Sequence, residues 1–187
     1  GNIMPHLHLS LQSGSDAVLR RMCRRYSGDE FYQRIEQIRR WLDRCAITTD
    51  IIVGFPGETE RDFEQTLKLA KACGFSKIHV FPFSPRPKTA AAKMQDTVSN
   101  KVIKERNAEL RELSNKLGRD FRQQFIGEKV KVLLEQAGEK VSGKSERYFV
   151  VVVENRKSQI KKNQIVEVEL RKNNKDSAQG VWVKKKQ

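Results

Sequence analysis

The chain has 187 residues, 37 % hydrophobic and 32 % charged, a globular composition with room for one large domain or two small ones. With 37 Lys and Arg against 23 Asp and Glu, its net charge is +14, which points to a polyanionic partner, nucleic acid first, beyond what solvated charged faces explain. No apolar run approaches the roughly 20 residues of a membrane span, and nothing resembles a signal peptide.

The alternation of His6-Leu7-His8-Leu9-Ser10-Leu11 predicts a strand, ended by Gln12-Ser13-Gly14-Ser15-Asp16, which caps a short helix bearing Val18, Leu19 and Met22. Arg20, Arg21, Arg24 and Arg25 crowd this segment, as a solvated basic face or as ligands for a carboxylate or phosphate. Ser27 and Glu30 form a capping box, and the helix after it carries a core stripe of Phe31, Ile35, Ile38 and Leu42. A strand from Ala46 into Asp50-Ile51-Ile52-Val53 is short and apolar enough to be buried on both faces. Gly54-Phe55-Pro56-Gly57 then turns the chain, its glycines allowing close approach of backbone to a ligand. Thr59-Glu60-Arg61-Asp62 is a second capping box, and Phe63, Leu67, Ala70 and Cys73 mark the core side of its helix. A strand ending in a tight turn and a helix N-terminus suits a small polar ligand, and equally suits an ordinary strand-to-helix turn. Ile78 to Phe83 reads as a third strand, and a long helix begins near Ser99 with Ile103, Leu110, Leu113, Leu117 and Phe121 on its apolar side.

The order βα, βα, β predicts parallel pairing, and three such units make only part of a barrel or open sheet. A chain that opens with Gly1 and enters a strand within a few residues is expected to be a piece of a longer protein. Cys23, Cys45 and Cys73 are odd in number and widely spaced, so neither a disulfide framework nor a zinc site is suggested, and a reducing cytoplasm fits best.

From Gly127 the period changes to that of strands, expected at 129–135, 147–154, 164–171 and 180–184. Ala137-Gly138, Ser142-Gly143, Asn155 and Asn173-Asn174 supply the turns. Short antiparallel strands over about 60 residues suggest a small closed barrel of the OB type. From residue 126 on, 15 Lys and Arg face 8 Asp and Glu. A basic barrel of this size is a common nucleic-acid platform. Candidate RNA-binding residues are Lys129, Lys131, Arg147, Tyr148, Lys161, Lys162, Arg171 and Lys172. Trp182 is a further stacking candidate, whereas Phe149 suits core packing, and Lys184-Lys185-Lys186 reads as a solvated tail.

Four stretches occur in order: His6 to Gly14, Arg24-Arg25-Tyr26, Thr49 to Thr59, and Phe81-Pro82-Phe83-Ser84-Pro85-Arg86-Pro87. As a set they closely resemble the MiaB-like radical S-adenosylmethionine (SAM) methylthiotransferases, and the basic barrel resembles their TRAM domain. The resemblance implies an α/β fold. Residues 1–124 would be the C-terminal part of a partial (β/α) radical SAM barrel, and 125–187 a TRAM RNA-binding domain. It also implies a parent enzyme that adds a methylthio group to a modified adenosine beside the anticodon of tRNA, in the cytoplasm. That parent would use SAM, a 4Fe-4S cluster and an electron donor such as flavodoxin or ferredoxin. Ser10 in place of the usual Pro favours the threonylcarbamoyladenosine branch. In the superfamily a Gln, an Arg twelve positions on and an Asp touch SAM, which maps here to Gln12, Arg24 and Asp50. Gly54, Phe83 and Ser84 would border the adenine. The family's Cys-x3-Cys-x2-Cys is not in this sequence, so the segment alone is expected to be inactive. Lys88 stands where the family has Gly, which puts any substrate role of Arg86 in doubt if that position needs φ > 0. Competing readings are a non-catalytic RNA-binding module, a ribosomal-protein methylthiotransferase, and a radical SAM enzyme of the coproporphyrinogen-oxidase type. The cut sheet is expected to expose an edge and an apolar inner face, and so to self-associate.

Overall fold

The computed structural model describes residues 4–154 and 161–183. The chain builds a three-stranded parallel sheet from β1 (His6–His8), β2 (Ala46–Val53) and β3 (Lys77–Pro82), in that order. Parallel neighbours need long crossovers. Helices α1 (Asp16–Arg21) and α2 (Gly28–Trp41) supply the first, and α3 (Glu60–Cys73) the second. Their starts are set locally. Ser15 accepts from the Val18 amide, and Ser27 with Glu30 and Thr59 with Asp62 close full capping boxes. Gly74, at φ +54°, ends α3 in the left-handed conformation.

One face of the sheet is covered by helices. Ile47, Ile51 and Val53 pack there with Phe63, Leu67, Ala70, Cys73, Leu110 and Leu113. Leu42 departs from the expected stripe: it is the C-cap of α2 and exposed. Helix α4 (Asn100–Gln123), capped by Ser99, closes the outer edge of β3. The Ser114 hydroxyl accepts from the Ile78 amide and donates to its carbonyl. Burial of β2 on both faces holds only for its first half, because Asp50 and Ile52 are half-buried.

The second core is a closed barrel in the order β4-β5-β6-β8-β7. Its strands are β4 (Lys129–Gln136), β5 (Val141–Ser145), β6 (Val150–Glu154), β7 (Ile165–Asn173) and β8 (Ala178–Val183). Alternation places Val130, Val132 and Leu134 inside and Lys129, Lys131 and Leu133 outside. Strand β5 corrects the sequence expectation, which has a turn at Ser142-Gly143. A Cβ on Gly143 would lie 2.0 Å from the Leu133 carbonyl oxygen, so the glycine serves a close strand crossing. Conversely, residues 147–149 form a turn rather than the start of a strand, with Tyr148 at φ +66°. Asn155 and Lys184-Lys185-Lys186 lie outside the described residues.

Two seams tie the cores together. Buried Arg122 of α4 donates to the Asn173 side chain and to the carbonyls of Asn174 and Lys175 in the β7–β8 turn. Arg44 pairs with Glu128 at 2.7 Å. Arg44 and Arg147 both lie over the Phe125 ring, at 4.9 and 4.6 Å.

Candidate functional site

The sheet face opposite the helices is polar along most of its length. Because β1 and β2 alternate, His6, His8, Thr48 and Asp50 share that face, joined by His79 from β3, whose Cα partner is Asp50. The expected apolar inner face holds only at its carboxyl end, where Ile52 pairs with the exposed Phe81; the rest is a row of imidazoles, a hydroxyl and a carboxylate. Thr48 Oγ1 lies 3.0 Å from both His6 Nε2 and His8 Nδ1, and His8 Nε2 lies 3.2 Å from Asp50 Oδ2. Ser10 donates to the same carboxylate oxygen at 3.1 Å. An ionised carboxylate only accepts, so His8 donates through Nε2 and, when neutral, accepts through Nδ1 from the Thr48 hydroxyl. Thr48 in turn accepts from His6 Nε2–H. The carboxylate thus sets the tautomers of His8 and His6.

At the carboxyl end of the sheet, Gln12 extends the pairing beyond β1. Its amide donates to the Asp50 carbonyl at 2.8 Å and its carbonyl accepts from Ile52 at 2.9 Å, at φ +68°. The Tyr26 hydroxyl, 3.0 Å from the Ser10 and Leu11 carbonyls, draws Arg24 and Arg25 to this end. Arg24 itself is exposed. The Phe83 amide donates to the Val53 carbonyl at 2.8 Å, and its ring meets Phe55 edge-on at 5.1 Å, with Ser84 exposed beyond it. Gln12, Arg24, Asp50, Gly54, Phe83 and Ser84 therefore gather at or near one end of the sheet.

Gly54 has a cause within the chain that the sequence reading lacked. At φ +76°, a Cβ there would lie 2.3 Å from Ile103 of α4. At Gly57, with φ +73°, a Cβ would meet the Arg21 guanidinium at 2.7 Å. Both glycines make room for protein neighbours. The loop is pinned from below. Glu58 accepts from the Gly54 amide at 3.2 Å and from Arg106 at 2.7 Å, and Arg106 also reaches Glu60 at 2.9 Å. Burial pushes the Glu58 carboxyl up, opposed by the Gly54 amide and Arg106. This clamp was not read from the sequence, since Arg106 lies 48 positions from Glu58.

Lys88 takes φ +68° in an exposed loop, the left-handed conformation that favours glycine. Of the barrel candidates, Lys129, Lys131, Lys161, Lys162, Arg171 and Lys172 are exposed. Arg147 and Tyr148 also make contacts within the chain, Tyr148 remaining exposed. Arg147 donates to the Arg44 carbonyl at 3.2 Å and pairs with Glu146 at 2.8 Å. Tyr148 stacks on His6, with centroids 4.5 Å apart and 12° between planes, and Lys144 sits 4.7 Å from its ring centroid. Trp182 is partly buried against the barrel core, and Phe149 is buried within it.

Cys23 is exposed, whereas Cys45 and Cys73 are buried, and burial pushes the Cys73 thiol up to about 12. Among the described residues, no three His, Cys, Asp or Glu side chains converge on a metal position. These residues do not fit a 4Fe-4S cluster. No described helix is long and apolar enough to cross a membrane.

Residues 1–70 match the radical SAM superfamily. Over 187 aligned residues the chain is 40 % identical to a tRNA-2-methylthio-N(6)-dimethylallyladenosine synthase of Oceanobacillus iheyensis, covering 98 % of this chain and 36 % of that protein. It is 46 % identical over 133 residues to the threonylcarbamoyladenosine tRNA methylthiotransferase MtaB of Thermotoga maritima, covering 71 % of this chain and 31 % of that one. Over these aligned residues the chain is similar to the MiaB-like radical SAM methylthiotransferases. It spans about a third of the length of these relatives. Among solved structures, the radical SAM enzyme coproporphyrinogen III oxidase of Escherichia coli aligns at 22 % identity and TM-score 0.49, over 58 % of this chain and 27 % of that one.

Proposed function

We propose that this chain is the SAM-facing wall and RNA-binding barrel of a tRNA methylthiotransferase, with residues 1–124 and 125–187 as its two domains. The observation that carries this reading is the near-complete alignment to a tRNA methylthio-adenosine synthase. The geometry supports it: a guanidinium, a carboxylate, a carboxamide and an aromatic ring gather at one sheet end, and these suit the methionyl, ribose and adenine parts of SAM. Arg24 would hold the methionyl carboxylate, Asp50 a ribose hydroxyl and Gln12 neighbouring polar groups, with Gly54, Phe83 and Ser84 beside the adenine. SAM bound to a reduced cluster supplies a 5'-deoxyadenosyl radical; the cluster ligands would lie elsewhere in the longer protein, so this segment alone would be inactive. The exposed lysines of β4, β7 and the 161–162 turn would contact phosphates of the anticodon region.

Relatives of both adenosine branches match the chain. Ser10 favours threonylcarbamoyladenosine, and its hydroxyl on Asp50 gives that position a structural part in the site. A flavodoxin or ferredoxin would supply electrons in the cytoplasm. Self-association would run through the free edge of β1, and light scattering at high concentration tests it: a strictly monomeric chain removes that part of the proposal. Nucleoside mass spectrometry of total tRNA from a strain lacking the gene tests the function. Loss of one methylthio-adenosine is expected, and its mass names the branch. An unchanged profile overturns the reading in favour of RNA binding without modification or of a ribosomal-protein substrate.

A further inference from the structure

Asp50 is held from two directions. Its backbone is bridged by Gln12, whose amide donates to the Asp50 carbonyl at 2.8 Å and whose carbonyl accepts from Ile52 at 2.9 Å. Its side chain is held from β1 and the residues just after it. With His8 level with Thr48 and side chains alternating along the chain, His8 and Ser10 fall on the face that carries Asp50. Both donate to one oxygen, Oδ2, His8 from Nε2 at 3.2 Å and Ser10 from Oγ at 3.1 Å. Oδ1 accepts no hydrogen bond from any described residue, and 29 % of the side chain stays open to solvent. One oxygen is taken by the protein and the other is left for a ligand.

His8 is itself fixed at both ring nitrogens. Its Nδ1 lies 3.0 Å from Thr48 Oγ1, and Thr48 is buried and tied in turn to His6 Nε2 at 3.0 Å. With Nδ1 on Thr48 and Nε2 on Asp50, the ring has no nitrogen left for a substrate, so its part is orientation rather than proton transfer. We propose that His8, assisted by Ser10, is a positioning residue that locks the Asp50 carboxylate through Oδ2, so that Oδ1 meets a ribose hydroxyl of SAM with its orientation already set. The proposal rests on the reading of Asp50 as the ribose acceptor. A carboxylate free to turn loses that freedom when it binds and gives up affinity, whereas one held beforehand does not. A contacting group is held to its productive geometry by the hydrogen bonds behind it, and Thr48, His8 and Ser10 supply those here.

The test is the dissociation constant of S-adenosylhomocysteine, which keeps the ribose but lacks the sulfonium that reductive cleavage needs, measured by calorimetry on the cluster-loaded full-length protein. His8→Phe keeps a ring and removes the donor, and is expected to weaken binding about tenfold, the scale of one hydrogen bond to a charged group. His8→Gln, whose amide offers an N–H in place of Nε2, should recover most of that loss. Ser10→Ala should weaken binding about threefold, because His8 still holds Oδ2. The double variant His8→Phe with Asp50→Ala should bind no more weakly than Asp50→Ala alone, since His8 acts through that carboxylate. Unchanged binding in His8→Phe, losses that add in the double variant, or a His8→Gln as weak as His8→Phe overturn the positioning role. If His8→Phe does not fold, as a thermal melt would show, unchanged binding in Ser10→Ala overturns it instead. Any of these outcomes alongside a weakened Asp50→Ala leaves the ribose assignment standing. Unchanged binding in Asp50→Ala overturns that assignment and the positioning with it.

Discussion

The two cores solve the same problem in opposite ways. The barrel is closed, so its apolar side chains face one another and its backbone pairs around the ring. The parallel sheet is open, covers one face with helices, and leaves the other lined by histidines, a threonine and an aspartate. A closed barrel can be stable with a wholly solvated exterior. An open sheet with a polar face keeps polar groups half-dry, which costs stability unless they bond one another or a ligand. The row from His6 to Asp50 is that compensation, and the barrel completes it by laying Tyr148 on His6. Difference in closure thus separates a part whose polar groups stand in water from a part whose polar groups must pair on a half-dry face.

If that division is right, the cores can be weakened separately. The largest effect is expected at the clamp beneath the Gly54 loop. Arg106→Leu leaves Glu58 buried without its partner, and loss of one member of a buried pair costs about 3–5 kcal/mol. Chemical denaturation should show that loss in the sheet core, with amide exchange in the barrel unchanged. Next comes Gly143→Ala, which forces a methyl group against the Leu133 carbonyl and should cost the barrel about 1–3 kcal/mol. Amide exchange of β4 and β5 should accelerate while β2 stays protected. Arg147→Ala removes a charged donor from the seam and should cost about 1.5–3 kcal/mol as a hydrogen-bond loss, at the lower end because the group is partly solvated. Its sharper signature is a wider separation between the unfolding of the sheet and that of the barrel.

The smallest effect is acid sensitivity. His6 and His79 have folded pKa values below the ordinary 6.5, so the native chain binds fewer protons than the unfolded one as pH falls through that value. Stability should decline below pH about 6.5 and level off once the folded pKa values are passed. Thermal melts across that range check it, and His79→Gln should shallow the slope.

What the sequence disclosed follows the range of the interactions. Both capping boxes and the Ser99 cap were legible because each closes within three or four residues. Strand β5 was not, because Ser142, Gly143 and Lys144 look like a turn until a neighbouring strand crosses at Leu133. Gly54 was legible as a special backbone position, but its reason, Ile103, comes from a helix 49 positions later. Arg147 and Tyr148 read as nucleic-acid ligands by type, and only the packing of barrel on sheet shows their contacts with Arg44, Phe125 and His6. The alternation of His6 and His8 already placed two imidazoles on one face. Their link to Asp50 required the register of β1 on β2.

The central claim is that the Asp50 end of the sheet holds the cofactor of a tRNA-modifying enzyme. It is tested most directly by returning the full-length gene to a strain that lacks it, either intact or as Asp50→Asn, at matched protein level, and measuring tRNA nucleosides by mass spectrometry. The account predicts that the intact gene restores the methylthio-adenosine and Asp50→Asn does not. Full restoration by Asp50→Asn would contradict it.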